Sequence, residues 1–564
     1  MKPVRNYSAD FETTTEAISR SETRVWAWAV CPVDCPEDVE IGIDIESFIE
    51  YMEENNGNYY FHNAGFDAVF IMDYLLRNGY ECNKTGQSNT FDTLISKMNK
   101  LYQVDIVFEN SKRHRSRATI KDSYKKIPSS VEQIANDFKI PCKKLSIDYD
   151  EPRPIGHILT DLEKEYIKHD VQIIAYALQT QFDQGLTKLT VGSDALSSCK
   201  DMIHFSRHFP TISLDIDGFL RRSYRGGYTY LNQQYKEKTI GEGIVYDVNS
   251  LYPAMMMKRL PVGMPYPFSG EYNGHKLYVQ SIYCMAKLKY GKLPTLLMNS
   301  GGFFQAHHYV ESIDEPTEVV FTSVDLAMFF GHYDVQVIEY CGGYEFDSAV
   351  RIFEPYIKHW MDVKNSNTGA VKQLAKLMLN SLYGKLATNP DVTGRYPVLD
   401  GDKDAIEYVL DDEQQLREPV YTAAAAFVTA YARETTITAC QEALDQGRFI
   451  YADTDSMHLV GDYPIEGIRI HPKNLGEWKH ESSFEAAKFL RAKTYLEVVK
   501  PEYRTSPTDN GIRVTCAGLR RDKRAGLDLD SFYIGATVPG GKLVPRKVHG
   551  GVILHESDFV IRDI

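Results

Sequence analysis

Long apolar runs are missing from this 564-residue sequence. A membrane-spanning helix needs about 20 consecutive apolar residues, and the most apolar stretch, 423–427, is short and ends in polar residues, so no membrane partner is expected. Cysteine is scarce: nine residues are scattered along the chain, and the closest pair, Cys31 and Cys35, has no second pair or nearby histidine to complete a zinc site. That excludes a disulfide scaffold and a zinc module, and leaves the thiols as reduced residues of a cytosolic protein. The polar start reaches an acidic motif by Asp10, which leaves no room for a signal peptide, so the expected location is the cytoplasm. Positive charge is outnumbered, 63 Lys and Arg against 77 Asp and Glu, for a net charge of −14. Net charge governs solubility, whereas a polyanion is bound wherever positive charge is concentrated.

Two stretches reverse the acidic balance. Basic residues outnumber acidic ones in 351–395 and again in 500–547, where Arg520, Arg521, Lys523 and Arg524 crowd together. With 43% hydrophobic and 25% charged residues the composition is that of a folded globular protein. At about 150 residues per domain, the length allows roughly three to five units.

The six residues Tyr451, Ala452, Asp453, Thr454, Asp455 and Ser456 lie between two short apolar runs, which predicts two strands joined by a tight hairpin. Two carboxylates one residue apart in extended chain point to the same side. Such closeness is repulsive unless a hard divalent cation sits between them. An isolated pair of this kind would be read as a surface turn, and it is the other acids that change the reading.

Residues 6–13 alternate Tyr7, Ala9 and Phe11 against Ser8, Asp10 and Glu12, a strand pattern that sets Asp10 and Glu12 on one face. A second strand is expected at 24–30. A further strand turns at Gly65, so that Asp67 opens a helix over 68–78. Thr160 and Glu163 form a capping box, and Leu162, Ile167, Ile174 and Leu178 are expected to supply the apolar face of the helix that follows. On it Tyr166 and Asp170 are one turn apart. Two strand acids, an acid at a helix start and another on a later helix are the requirement of two-ion phosphodiester hydrolysis.

Beyond residue 185 the motifs change. Tyr224, Arg225, Gly226, Gly227 and Tyr228 make an aromatic, basic, flexible turn that suits a phosphate backbone, although a plain Gly-Gly loop fits as well. A buried-type strand at 244–248 delivers Asp247 and then Tyr252, with Pro253 expected to end or redirect the chain. Residues 256–353 read as an inserted mixed unit. Residues 351–386 read as helical with a break at 365–369, and Lys372, Lys376, Asn380 and Tyr383 fall on one face, suited to a triphosphate. A solvated amphipathic face is the alternative. Residues 389–419 read as a smaller insertion and 422–443 as a helix. The segment 490–495 is expected to be a strand with Lys493 and Tyr495 on one side, and the chain to end in a small β-rich unit.

Taken together, Asp247 with Ser250, Leu251, Tyr252 and Pro253, Lys376 with Asn380 through Gly384, Tyr451 through Ser456, and Lys493 with Tyr495 resemble the family B DNA polymerases, over essentially the whole chain. The two insertions and the extended similarity around 372–385 and 389–394 resemble the protein-primed branch, of the phage phi-twenty-nine type. The earlier acids resemble the DnaQ-type proofreading nucleases. The implied fold is a multidomain α/β (α+β) chain: a ribonuclease-H-like 3′→5′ exonuclease domain, then a right-hand palm, fingers and thumb with two insertions. The division is exonuclease 1–188, palm 189–255 and 421–522, first terminal-protein-region insertion 256–354, fingers 355–388, second insertion 389–420 and thumb 523–564.

The resemblance also assigns residues. Asp247 and Asp455 would hold two ions with the Val248 carbonyl, supported by Asp453. Tyr252, Lys372, Lys376, Asn380 and Tyr383 would meet the nucleotide, and Tyr252 would reject a 2′-hydroxyl. Lys493 and Tyr495 would steady the primer; the DNA contact of residues 224–227 is expected from the make-up of that turn alone. In the nuclease, Asp10, Glu12, Asp67 and Asp170 would hold two further ions, Tyr166 and Lys144 would assist, and Thr13, Asn63, Phe66 and Ser123 would hold single-stranded DNA. One departure is Tyr124, which stands in a leucine position of the family. The implied cofactor is Mg2+, two per site, with Mn2+ as substitute. The implied partners are template and primer DNA, dNTPs and a terminal protein as primer. The chain is expected to act as a monomer, in the host cell cytoplasm if phage-encoded. The alternatives are a family B enzyme that uses a nucleic acid primer or primes itself, and an inactive DNA-binding scaffold.

Overall fold

The computed structural model describes residues 4–111, 115–299, 307–506 and 508–563. Among them no helix is long and apolar enough to cross a membrane. All nine cysteines are free.

The amino-terminal part is built on the alternation of its first strand, Arg5–Thr13. Tyr7, Ala9 and Phe11 pack into one apolar cluster with Phe48, Phe61 and Ile71, beneath the helices Ile45–Glu54 and Asp67–Arg77. The opposite face of the sheet packs on the helix Asp161–Asp183 through Tyr60, Ile167, Val171 and Ile174. Arg5–Thr13 pairs in parallel with Gly57–Phe61, which pairs in parallel with Arg115–Asp122, and its other edge pairs antiparallel with Val25–Pro32. The capping box of Thr160 and Glu163 is formed in both directions. Leu162 is not part of the apolar face. It is 55% exposed, because at the second helical position it lies on the solvent side of the first turn while Ile167, Ile174 and Leu178 are buried.

The sheet does not end within the amino-terminal segment. The hairpin Gly394–Asp400 and Ala405–Leu410, part of the smaller insertion, pairs through Gly394 and Arg395 with Ser96 and Ile95. It thereby becomes one edge of a ten-stranded sheet. Lys97 clasps Asp391 at 2.5 Å, and Arg77 donates to Asp404 at 2.8 Å, so this edge is tied by charge as well as by backbone.

The second large sheet has eight strands, and its centre is Gly243–Val248 between Ser456–Val460 and Trp478–Arg491. The helix Thr422–Asp445 backs it. Ala423 to Ala426, Ala430, Ala432, Ala439 and Ala443 are all buried, and their small side chains let helix and sheet approach closely. Pro253 does not end the chain's course as its motif suggests. It sits in the first turn of the short helix Leu251–Met255, where proline's missing N–H has no intrahelical partner to lose.

Within the segment expected to be the larger insertion lies a four-stranded antiparallel sheet carrying the helix Ser323–His332. Glu354–Ser366 and Gly369–Leu386 form a helix pair, broken where the sequence predicts. The segment expected to be one strand at 490–495 is a hairpin turn instead. Lys493 has φ of 55° between Trp478–Arg491 and Thr494–Val499, so the chain reverses at the residue that should have continued it. The carboxyl-terminal hairpin Thr537–Val548 and Gly551–Val560 reaches back to the first domain. There Thr23 N–H donates to the His549 carbonyl at 2.9 Å, and a Cβ at Gly551 would collide with the Phe70 ring.

Candidate active site

Two acidic centres emerge, one on each large sheet. In the second sheet the register places Asp247 directly opposite Ser456, one residue beyond Asp455. The Val248 N–H donates to the Asp455 carbonyl at 2.8 Å, which fixes the two acids beside each other. The turn between the hairpin strands requires Thr454 at φ 62°, and this changes the expected geometry of the acid pair. Asp453 and Asp455 are not on one side of an extended chain. Asp453 accepts from Lys493 Nζ at 2.6 Å and from Thr229 Oγ1 at 3.2 Å, whereas Asp455 faces the same cavity as Asp247. Burial, the Asp455 charge and Glu481 push the Asp247 carboxyl up to about 6. Asp455 is raised too, chiefly by burial.

That cavity, of about 360 Å³, is where the nucleotide-facing candidates meet. Lys376, Asn380 and Tyr383 reach it from one face of Gly369–Leu386, while Lys372 does not line it. Tyr252 stacks on Tyr383 with ring centroids 3.9 Å apart and 17° between planes, a flat floor beside the acids. Two lysines that the motifs did not single out also line it. Lys364 donates to Ser250 Oγ at 3.1 Å, and Lys479 lies 3.2 Å from Asp247. Lys364 belongs to the basic stretch 351–395, so composition carried a trace of it. Lys479 is brought in by strand register alone.

The DNA-facing candidates are more dispersed. Tyr495 stacks on Phe489 at 5.2 Å, and burial lifts its phenol to about 12. Arg225 is turned inward: its Nη2 donates to the Val320 carbonyl at 2.9 Å, and its guanidinium lies over Phe321. Tyr224 is half-buried and Gly226 is exposed. A Cβ on Gly227 would stand 2.7 Å from Thr454, so here glycine is demanded by the approach of the turn that carries the acids. Arg433 holds the carbonyls of Arg225 and Gly226 at 2.7 Å each while its other nitrogens grip Asp325 at 3.0 and 2.8 Å.

In the first sheet, carboxylate oxygens of Asp10, Glu12 and Asp170 come within 4.8 Å of one another. Asp67 is buried in the first turn of its helix, where it feels the charge of Asp10 and in turn raises Glu12. Burial and the neighbouring Asp170 lift Asp10 to about 7, and burial with the Asp10 charge raises Glu12 and Asp67 well above the usual carboxylate range. Asp170 Oδ1 is buried without a hydrogen-bond partner. Its Oδ2 accepts from Lys144, which also donates to the Tyr166 hydroxyl at 2.6 Å. Burial works against the Lys144 charge, but Asp170 and Asp10 outweigh it and raise its pKa. An orphaned carboxylate oxygen among mutually repelling acids, all hard oxygen donors, fits a divalent cation.

This centre opens into a cavity of about 800 Å³ that Thr13 and Phe66 line, together with Arg520, Leu554 and Glu556 of the carboxyl-terminal part. Tyr149, which the motifs did not flag, bonds the Tyr166 hydroxyl. Asn63 and Ser123 do not line the cavity. Asn63 takes φ 67°, and its N–H donates to Asp122 at 3.1 Å. Ser123 is fully buried and donates to the Phe61 carbonyl at 3.1 Å. Tyr124, by contrast, is 40% exposed and packs edge-on against His62.

The family model described as DNA polymerase type B, organellar and viral, matches residues 49–158 and 155–463. The chain is 43% identical to the DNA polymerase of Bacillus phage M2 and 42% identical to that of Bacillus phage phi29, with 99% of each chain covered. It is 30% identical to the DNA polymerase of Streptococcus phage Cp-1, over 99% of this chain and 98% of the other. A solved structure of phi29 DNA polymerase in complex with primer-template DNA and incoming nucleotide superposes with a TM-score of 0.92, at 41% identity, covering 99% of this chain and 100% of that one.

Proposed function

Because the chain belongs to the type B DNA polymerases, in their phi29-like phage branch, and is a template-directed DNA polymerase, we propose that its two acidic centres divide synthesis from proofreading and that its first primer is a protein hydroxyl. The division into exonuclease, palm, fingers, thumb and two insertions set out from the sequence is part of the proposal. Divalent ions, Mg2+ with Mn2+ as substitute, would be held by Asp247, Asp455 and the Val248 carbonyl in one centre, and by Asp10, Glu12, Asp67 and Asp170 in the other. Bound there, such ions activate the attacking oxygen and stabilise the leaving one.

The chain's own residues do the positioning on which phosphoryl transfer depends. Lys376 and Lys364 neutralise the triphosphate from the helix wall, with Lys372 one turn further out, and Asn380 orients it. Tyr252 lies under the sugar and leaves no room for a 2′-hydroxyl, its ring held by Tyr383. Lys493, anchored on Asp453, and Tyr495 steady the primer end, and the 224–227 turn approaches the DNA backbone. In the nuclease, Tyr166 and Lys144 hold the attacking water, while Thr13 and Phe66, with Asn63 and Ser123 behind them, receive the single-stranded end. The two insertions would clamp duplex and template and engage a terminal protein, giving processive strand displacement by a monomer in the host cytoplasm.

The observation that carries the reading is that acids scattered between residues 10 and 455 gather into two separate clusters. The test is a pair of variants. Asp455→Asn is expected to lower nucleotide addition on the order of a thousandfold while 3′→5′ degradation continues. Asp10→Ala with Asp67→Ala is expected to do the reverse. Loss of both activities in either variant defeats the division. Incubation with labelled dATP, Mg2+ and a candidate terminal protein tests priming; label that appears only on a nucleic acid primer refutes that part.

A further inference from the structure

The register that sets Asp247 opposite Ser456 on one side sets it opposite Lys479 on the other. Directly opposed residues are close neighbours, and here the Lys479 ammonium lies 3.2 Å from Asp247 Oδ1 and 3.1 Å from Glu481 Oε2. Its side chain is two-thirds buried, 33% exposed, and it lines the cavity that Asp455 and Tyr252 share. The lysines assigned to the nucleotide, Lys364 and Lys376, come from the helix pair instead. Lys479 is thus a cation built into the acid cluster itself, with no part in the chemistry set out above.

We propose that Lys479 is a positioning residue of the polymerase centre: its ammonium is the resident counter-ion of Asp247 and Glu481, and a divalent ion must displace it to occupy the centre. The inference rests on the reading of Asp247 and Asp455 as ion-holding acids. Without an ion, Asp247, Asp455 and Glu481 repel one another, and one positive charge among them keeps the cluster in place. A divalent cation takes carboxylate oxygens for itself and repels the ammonium, so every oxygen it gains is one the lysine gives up. The flexible four-carbon stem lets the ammonium withdraw without moving the strand. Lys479 therefore sets the ion concentration at which synthesis begins. A single charge facing a dication at about 5 Å, even at the dielectric constant of water, corresponds to about a tenfold change in ion affinity.

The test uses the full chain carrying Asp10→Ala and Asp67→Ala, which silences the nuclease centre, with Mn2+ binding read by electron paramagnetic resonance. Lys479→Met, which keeps the stem and removes the charge, is expected to bind Mn2+ about tenfold more tightly and to reach half-maximal primer extension at correspondingly lower Mg2+. Lys479→Arg, which keeps the charge, is expected to stay close to the parent. In an ion-free thermal melt Lys479→Met is expected to unfold earlier than the parent and to gain more from added Mn2+. Unchanged or weaker Mn2+ binding in Lys479→Met overturns the proposal, because the ammonium then does not compete. Asp455→Asn in the same background separates this from failure of the underlying reading: loss of the tight Mn2+ signal upholds the ion centre, and its retention removes the centre itself.

Discussion

Arg433 is the buried side chain on which three parts of the molecule depend, and replacing it with methionine separates their contributions. Its guanidinium joins the helix Thr422–Asp445 to Asp325 at the start of Ser323–His332 and to the carbonyls of Arg225 and Gly226. Both charged partners are buried, Arg433 completely. Arg433→Met takes from the Asp325 carboxylate its hydrogen-bonded counter-charge and leaves it only the nearby Arg225, a loss of about 3 kcal/mol. In Arg433→Met with Asp325→Leu the hydrogen-bonded charge pair is gone, and the buried Arg225 guanidinium loses the Asp325 charge that supports it but keeps its bond to the Val320 carbonyl. The two orphaned carbonyls add about 1 kcal/mol each to the cost of that unsupported cation. The loss in the double variant is therefore expected to fall short of the sum of the two single losses, with a coupling of about 2–3 kcal/mol. The measurement is the first urea transition of parent, both single variants and the double. DNA affinity should not follow stability: the 225–227 turn has lost its anchor in both Arg433 variants, so binding of primer-template is expected to stay roughly fivefold weaker in the double variant as in the single one. Additive losses in the urea cycle, or DNA affinity restored in the double variant, would refute the argument.

The remaining predictions concern one acid and one stacked pair of rings. Burial alone would raise the Glu163 carboxyl, but bonds from Arg153, the Thr160 N–H and His157 hold it at about 2. A depressed folded-state pKa means that this stabilisation is complete above the ordinary value of 4.5 and is lost as pH falls toward 2. Glu163→Gln keeps the cap and loses the ion pair, so it is expected to cost about 3 kcal/mol at neutral pH, a difference that shrinks below pH 4.5 in acid denaturation curves; a gap independent of pH would refute the assignment. Tyr252→Val is expected to reduce the preference in kcat/KM for dNTP over rNTP by about a hundredfold or more, and Tyr383→Leu, which removes the ring that braces it at 3.9 Å, by less. Single-nucleotide incorporation kinetics decide both, and unchanged discrimination in Tyr252→Val sinks the steric argument.

Features written in short stretches of chain were legible in the sequence. The alternation around Asp10, the capping box at Thr160, the hairpin that carries Asp453 and Asp455, and the helical face of Lys376, Asn380 and Tyr383 each depend on residues within two turns or one hairpin. Features set by distant pairing were not. Nothing near Lys479 announces that it stands across from Asp247, and nothing near residue 394 announces a strand that joins Ser96. The reversal at Lys493 and the inward turn of Arg225 were misread for a related reason: apolar flanks at the first, and basic and glycine content at the second, are equally compatible with the opposite local geometry until a partner is supplied by Asp453 or by Val320.

The hairpin at Gly394–Leu410 completes a sheet begun by the first strands of the chain, and that ordering has a cost during synthesis. Glu81 and Cys82 already pair with Thr90 and Phe91, but the margin at Ile95 and Ser96 leaves the ribosome about 300 residues ahead of the strand that will cover it. At bacterial rates of translation the nascent domain spends roughly 15–60 s with that margin open to any other extended segment. The two large sheets thus mature together, because the last piece of the older one is delivered by the younger part of the chain.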